Sequence, residues 1–224
     1  MNRTIFRVCV MSPLRAHKKL SRSYSSICWN CEHNTTSLFC KSCNKVQPPT
    51  NKDNYFEALN VPAVYNVDVD QLEHEFKDLQ KKLHPDKFTG ASEEEQRYSA
   101  QQSSLVNNAY QTLKDPQLRA TYMLENILHA DVENLQLSKE FLMDMMELME
   151  EIETDRSLTE DDFRRRKEQI SQHKQHIFKN LSESFKSNNI ADARYHVAEL
   201  NYLSRIDNLI NEKLPYCCID YKTK

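Results

Sequence analysis

Four of the seven cysteines have the spacing of metal ligands. Cys28 and Cys31 form one Cys-x-x-Cys pair, Cys40 and Cys43 form a second, and eight residues separate the two pairs. Each pair forms a turn that directs two sulfur atoms at one point, so the four thiolates predict a single structural zinc ion with no open coordination position. The segment between the pairs is too short for a core of its own. We therefore expect the metal to hold this cysteine knuckle, residues 26–46, together.

Three other chemistries use the same residue types. An iron–sulfur cluster also takes four cysteines, and two disulfides need an oxidising compartment. A redox Cys-x-x-Cys pair is expected within a βαβ unit, which this sequence does not predict. An enzyme or redox protein that uses the four thiols is therefore a rival reading, with a labile metal, a cluster chromophore or thiol cycling as its signature. Cys9, Cys217 and Cys218 receive no role.

The tripeptide His84-Pro85-Asp86, called the HPD turn below, is a second candidate site. It directly follows a predicted amphipathic helix that begins at Asp68 and is ended by Pro85. A loop tip exposes its side chains to a partner, and the proline fixes its backbone. A metal pair or an acid–base couple formed by His84 and Asp86 is the alternative, but two ligands are too few for a metal site. The helix carries an apolar stripe, Leu72, Phe76, Leu79 and Leu83, and a basic face, Lys77, Lys81 and Lys82.

The sequence predicts three further helices around the HPD turn. Asp53 caps a short first helix, a long helix runs from about 92 to 113, and Pro116 opens a fourth helix after Asp115. The HPD turn then lies at one end of an antiparallel helix pair. The short helix carries Tyr55, Phe56 and Leu59, the long helix turns Tyr98, Leu105, Ala109 and Leu113 inward, and the fourth carries Arg119, Tyr122, Met123 and Ile127.

Residues 135–216 predict a second helical domain, an antiparallel three-helix bundle. Its helices run from 138 to about 153, from Thr159 to about 185 and from 191 to about 214, and Asp162 supports Thr159 as an N-cap. Apolar residues at helical spacing predict the core. These are Phe163, Ile170, Ile177, Leu181 and Phe185 in the second helix and Val197, Leu200, Ile206 and Ile210 in the third.

The first helix of this bundle has more apolar residues than a small core needs. One apolar stripe is predicted to be buried in the bundle core, and it consists of Phe141, Met145, Leu148 and Ile152. A second stripe is rotated by about 100° and consists of Leu142, Met146 and Met149, with Met143 beside it. This second stripe either packs on the preceding helical domain or forms an exposed patch flanked by Glu147 and Glu150. Methionine suits an exposed patch because its flexible side chain adapts to a partner surface.

Composition excludes several classes of protein. A single glycine in 224 residues argues against Gly-rich phosphate loops, dinucleotide folds and hairpin-rich β architectures. Helix-forming residues predominate, so the fold class is predicted as all-α. A net charge of −3 gives no overall basic field for nucleic acid, and the basic run at 164–167 lies among acidic residues. The apolar runs are too short to span a membrane.

The first 25 residues have a different composition from the rest. They contain no acidic residue, six basic residues and several serines, which is typical of a mitochondrial transit peptide. A disordered tail is the alternative.

The proline-containing segment 47–52 is predicted to be a linker between the knuckle and the first helical domain, residues 53–130.

The helix order around the HPD turn resembles a J domain, the module by which co-chaperones stimulate the ATPase of DnaK-type chaperones. The whole arrangement over about residues 28–214 resembles the HscB-type J-protein co-chaperones of iron–sulfur cluster biogenesis, and the four-cysteine knuckle is similar to that of animal mitochondrial members. The resemblance implies chaperone-binding residues, namely His84, Pro85, Asp86, Lys77, Lys81 and Lys82. It also implies a scaffold-binding face, namely Leu142, Met143, Met146, Glu147, Glu150 and Tyr202.

These observations lead to a hypothesis of an adaptor that performs no covalent chemistry. It binds a scaffold protein carrying a nascent iron–sulfur cluster and presents that scaffold to a DnaK-type chaperone in the mitochondrial matrix. The rival within the same class is a general J-protein for unfolded matrix clients. Self-association and a cytosolic pool stay open, and neither nucleic acid nor membrane is expected as a partner.

Overall fold

The computed structural model describes residues 27–49, 54–131, 137–155 and 157–214. The predicted transit peptide, residues 50–52 of the predicted linker and Cys9, Cys217 and Cys218 lie outside these ranges. The described part of the chain contains helices, turns and two isolated β-bridges in the knuckle, so the all-α prediction is confirmed. Among the described helices, none has the length and apolar character needed to cross a bilayer.

In the described part of the chain, seven α-helices follow the knuckle in chain order. A 3₁₀ turn at Pro85–Phe88 separates α2 from α3, and a π-helical turn at Met123–Ile127 extends α4. The bounds are α1 Tyr55–Ala58, α2 Val69–Leu83, α3 Glu93–Lys114, α4 Pro116–Tyr122, α5 Lys139–Thr154, α6 Glu160–Lys186 and α7 Ile190–Lys213.

The helix starts follow from local capping chemistry. The predicted caps Asp68, Asp115 and Thr159 each accept backbone N–H bonds in the first turn, and Thr159 with Asp162 forms a complete capping box. The short α1 begins differently from the prediction. Asn54 is its cap and accepts from the Phe56 N–H at 2.9 Å, while Asp53 lies outside the described residues.

The inner face of α3 differs from the predicted one. Ala109 and Leu113 are buried as expected, but Tyr98 and Leu105 are only partly buried. The most buried neighbours include Gln102 and Val106, because α3 packs against α1, α2 and the knuckle together. Buried polar groups on such a face are tolerated when backbone carbonyls accept their hydrogen bonds, and apolar spacing does not reveal them.

The C-terminal bundle forms as predicted around α6 and α7. Ile170, Ile177 and Leu181 of α6 are buried, as are all four predicted residues of α7. Helix α5 packs mainly on α7, and of its predicted stripe Ile152 is buried while Phe141, Met145 and Leu148 are less completely covered. The bundle thus buries one end of α5 and leaves much of its other surface to solvent.

Direct contacts join the two helical domains. The rings of Tyr65 and Phe185 stack with their centroids 4.8 Å apart. Gln117 of α4 donates to Asn201 Oδ1 at 3.0 Å and accepts from Ser204 Oγ at 2.9 Å, both on α7. The domains therefore meet through an aromatic stack and a side-chain hydrogen-bond network.

Candidate functional site

The four predicted ligands of the knuckle converge. The sulfur atoms of Cys28, Cys31, Cys40 and Cys43 all lie within 4.8 Å of one another. The Cys28–Cys43 and Cys31–Cys40 sulfur pairs are 3.7 and 3.6 Å apart. A tetrahedron of four sulfurs at about 2.3 Å from a central zinc ion has edges of about 3.8 Å. The donor set and its spacing therefore fit one tetrahedral metal ion.

Two equivalent turns bring these sulfurs together. In the first, the Glu32 N–H donates to the Cys28 carbonyl at 3.0 Å; in the second, the Asn44 N–H donates to the Cys40 carbonyl at 2.9 Å. Glu32 and Asn44 both adopt the left-handed region, with φ of 58° and 59°. Asparagine tolerates this region because its short polar side chain bonds locally.

The electrostatics of the cluster favour a cation at its centre. Burial raises the pKa of Cys28, but hydrogen bonds from the backbone N–H groups of Asn30 and Cys31 and from the Cys31 and Cys43 side chains together outweigh it and leave that pKa at about 6. The His33 N–H lowers the pKa of Cys31, but burial and the neighbouring sulfurs raise it to about 11. Thiolates this close repel one another, so all four ionise together only when a positive ion binds them.

The knuckle packs against α3 through side chains of several kinds. Lys45 Nζ lies 2.6 Å from the carboxylate of Glu95, whose side chain is 6% exposed. The Trp29 indole donates to the Val46 carbonyl at 2.7 Å and meets the ring of Tyr98 edge-on, with centroids 5.4 Å apart. The knuckle is therefore held against the helix that follows the HPD turn.

Two buried glutamines complete this contact, and apolar spacing predicts neither of them. Gln102 donates to the Gln47 carbonyl at 3.0 Å, and Gln47 donates to Cys28 Sγ at 3.4 Å. Both side chains are fully buried. Gln47 opens the predicted linker, yet it donates a hydrogen bond to a cysteine of the predicted metal site on one side and accepts one from α3 on the other. Outer-sphere donors of this kind orient metal ligands.

The HPD turn projects from a well-packed base. Phe88 is buried and Ser99 Oγ donates to the Leu83 carbonyl at 3.2 Å, so both ends of the turn are fixed. The His84 and Asp86 side chains are 60% and 86% exposed, with His84 Nδ1 3.5 Å from the Asp86 carboxylate. The turn therefore presents an imidazole and a carboxylate to solvent on a rigid support.

The basic face of α2 is partly compensated by acids on the same helix. Lys77 lies 2.6 Å from Glu73 and Lys82 lies 2.7 Å from Asp78, both one turn apart. The hydrogen bond from Lys77 lowers the pKa of Glu73, and that from Lys82 lowers the pKa of Asp78. Exposed pairs of this kind contribute little to stability, so a partner can replace them at small cost.

The apolar surface of α5 is open. Met143 and Met146 are 70% and 67% exposed. The alternative in which this stripe packs on the first helical domain is wrong for these two residues. Met149, which belonged to the predicted second stripe, packs partly on the core instead. We call the surface formed by the exposed Met143 and Met146 and the half-buried Leu142 the methionine patch.

Polar and aromatic groups border the methionine patch. Glu147 and Glu150 are exposed on α5. Tyr202 of α7 meets Phe141 edge-on with ring centroids 6.2 Å apart, and the Arg205 guanidinium carbon lies 5.2 Å from the centroid of the Tyr202 ring. The residues predicted as one face thus lie on the adjoining helices α5 and α7, whereas the HPD turn belongs to the other domain.

Comparisons with known proteins agree with this division of the chain. Residues 54–122 match the family model described as DnaJ domain, and residues 137–211 match the model described as HSCB C-terminal oligomerisation domain. The "Iron-sulfur cluster co-chaperone protein HscB homolog" of Arabidopsis thaliana is 33% identical over 189 residues, 84% of this chain and 74% of the relative. The human protein named "Iron-sulfur cluster co-chaperone protein HscB" is 30% identical over 202 residues, 84% of this chain and 83% of the relative.

A solved structure extends the agreement to three dimensions. The crystal structure of human co-chaperone protein HscB superposes with a TM-score of 0.75 at 27% identity, and covers 84% of this chain and 98% of the human one. Both domain models, the relatives and the fold therefore point to one conclusion. The chain belongs to the HscB family of iron–sulfur cluster co-chaperones.

Proposed function

We propose that this protein is an adaptor that joins an iron–sulfur scaffold protein to a DnaK-type chaperone and stimulates the chaperone's ATPase. The observation that carries the proposal is the presence of two uncovered surfaces on different domains of one chain. The HPD turn is exposed on the J domain, and the methionine patch is exposed on the C-terminal bundle. Membership of the HscB family supports the pairing of these two partners.

The chemistry of each surface suits its partner. The HPD turn offers a fixed imidazole and carboxylate beside Lys81 and Lys82, which suits a polar, acidic protein surface. The methionine patch offers deformable apolar side chains beside Glu147 and Glu150, which suits an apolar surface bordered by basic groups. In this proposal Leu142, Met143 and Met146 contact the scaffold apolarly, Glu147, Glu150 and Tyr202 complete the contact, and the chaperone binds His84, Pro85, Asp86, Lys77, Lys81 and Lys82.

The mechanism is one of proximity and population shift. Contacts between the domains, such as those of Gln117 with α7, restrict how far the two surfaces move apart. A scaffold on one surface therefore reaches a chaperone on the other at a high effective concentration. Binding of the HPD turn favours the hydrolysis-competent state of the chaperone, which then retains the scaffold and promotes cluster transfer to recipient proteins.

The knuckle holds a structural metal ion in this proposal, and zinc is the metal that four thiolates in a closed tetrahedral set favour. Cys28, Cys31, Cys40 and Cys43 bind it, and the ion cross-links two turns that have no core of their own. Metal analysis of the purified protein tests this assignment, and we expect one zinc per chain that resists mild oxidant.

The acid-poor composition of residues 1–25 supports import of this protein into the mitochondrial matrix.

One pair of variants tests the division of labour. His84→Gln should abolish stimulation of the chaperone's ATPase and leave scaffold binding intact. Met143→Ala with Met146→Ala should weaken scaffold binding and leave basal stimulation intact. If either variant loses both activities while its circular dichroism is unchanged, the two-surface proposal is wrong. A methionine patch that binds unrelated apolar peptides as tightly as the scaffold would favour the general J-protein.

A further inference from the structure

A cleft of about 650 Å³ lies between the cysteine knuckle and the segment that follows the HPD turn. Asn44 and Lys45 line it from the knuckle, and Lys82, Lys87 and Phe88 line it from the J domain. We propose that this cleft is part of the chaperone-binding surface and receives an acidic segment of the DnaK-type chaperone. The inference deepens the proposed function and rests on it.

The charge of the cleft suits an acidic occupant. Its lining includes the ammonium groups of Lys45, Lys82 and Lys87 and one carboxylate, that of Glu95. Glu95 is already paired with Lys45 and is almost fully buried, so it does not repel an incoming acid strongly. Lys87 is exposed and makes no ion pair within the described part of the chain. Lys82 is paired with Asp78 on α2, so the uncompensated charge in the lining is the positive charge of Lys87.

The cleft is continuous with the HPD turn. Lys87 directly follows Asp86, its N–H donates to the His84 carbonyl at 3.0 Å, and Phe88 is the buried base of the same turn. Lys82 belongs to both the basic end of α2 and the cleft wall. A specific interface buries about 800 Å² on each partner. A chaperone centred on the three residues of the turn therefore extends over neighbouring surface, and the cleft is part of that surface.

The knuckle is a fixed wall of this cleft. The Lys45–Glu95 pair, the Gln102–Gln47 hydrogen bond at 3.0 Å and the Trp29–Tyr98 contact hold it against α3. A wall that is already in place costs little ordering entropy when a partner binds. This gives the knuckle a contact role in addition to its own folding.

The test uses the whole chain, saturated with zinc, and measures its affinity for the ATP-bound chaperone. Asn44→Asp puts a negative charge into the cleft with almost no change of shape, and aspartate tolerates the left-handed backbone at this position. We expect the dissociation constant to rise about two- to fivefold at low salt, with the difference shrinking at high salt. Asn44→Gly removes the amide without adding charge, so it separates loss of the side chain from the added charge, and its dissociation constant should rise less than that of Asn44→Asp.

Asn34→Asp is the matched control. It adds the same charge to the same knuckle at an exposed residue that does not line the cleft. If Asn34→Asp weakens binding as much as Asn44→Asp, or if neither does, the cleft is not part of the interface. If the wild type neither binds nor stimulates the chaperone, the proposed function itself fails and this inference fails with it.

A measurement on the wild type decides the question if Asn44→Asp loses its metal. Hydrogen exchange of the amides in residues 40–45 is compared with and without the ATP-bound chaperone. Slower exchange in this segment on binding supports the inference. Protection confined to α2 and the HPD turn, with residues 40–45 unchanged, overturns it.

Discussion

The double variant Met143→Ala, Met146→Ala should weaken binding of the scaffold by about 30- to 150-fold. Full burial of a methionine side chain is worth about 1.5–3 kcal/mol. The two residues are 70% and 67% exposed, so most of that burial becomes available only on binding. After allowance for the Cβ that alanine retains, the pair contributes about 2–3 kcal/mol, and each 1.4 kcal/mol is tenfold in affinity.

The assay is a calorimetric titration of the whole chain with the scaffold. Leu118→Ala is the matched control, because Leu118 is a 51% exposed apolar residue on α4, outside the methionine patch. Neither change should lower the melting temperature by more than a few degrees, since both remove exposed side chains. Unchanged affinity of the double variant, or an equal loss in Leu118→Ala, would refute the assignment of this face.

Two further predictions concern the knuckle and the domain contact. Removing the metal with a chelator should shift the fluorescence emission of Trp29, the single tryptophan, to longer wavelength, because the knuckle then separates from Tyr98 and exposes the indole to water. Most of the helical circular dichroism signal should persist. Unchanged emission from the metal-free protein would contradict this prediction. Burial raises the pKa of Tyr65 to about 12, so its contribution to stability is complete below pH 10 and is lost as the pH rises from 10 toward 12. Tyr65→Phe should reduce that alkaline loss. Because the buried hydroxyl has no hydrogen-bond partner among the described residues, the variant should also have a free energy of unfolding in urea at pH 7 that is about 1 kcal/mol higher. A lower free energy of unfolding would show that the hydroxyl has a partner.

The elements with strong local signals were predictable. The helix starts at Asp68, Asp115 and Thr159 follow from side chains that accept first-turn N–H bonds. The apolar stripes of α6 and α7 were confirmed at Ile177 and Val197 because two long helices with short connections leave few ways to cover those faces. The convergence of the four cysteines follows from their spacing alone.

The contact between the knuckle and α3 was not predictable in the same way. It depends on Gln47, Gln102 and Glu95, which are polar residues that most often lie at the surface. Their burial is stabilised by specific acceptors, such as the Gln47 carbonyl, that become neighbours only in the folded chain. Hydrophobic periodicity therefore predicts that Tyr98 and Leu105 lie on the inner face of α3, whereas in the structure both are only partly buried.

The exposed state of the methionine patch needed the structure as well. The sequence indicated two apolar stripes on α5 but left open whether the second one packs on the J domain. The exposure of Met143 and Met146 excludes that packing, and the partial burial of Met149 narrows the patch. Which stripe is free depends on how α5 lies on α7, and that is a property of the tertiary packing.

In the proposed function one chain couples two partners. The decisive measurement is the steady-state ATPase rate of a purified mitochondrial DnaK-type chaperone with this protein, with the scaffold and with both together. We expect the two together to stimulate hydrolysis much more than the sum of their separate effects. Stimulation that is indifferent to the scaffold, or no stimulation by folded and metal-loaded protein, would contradict it.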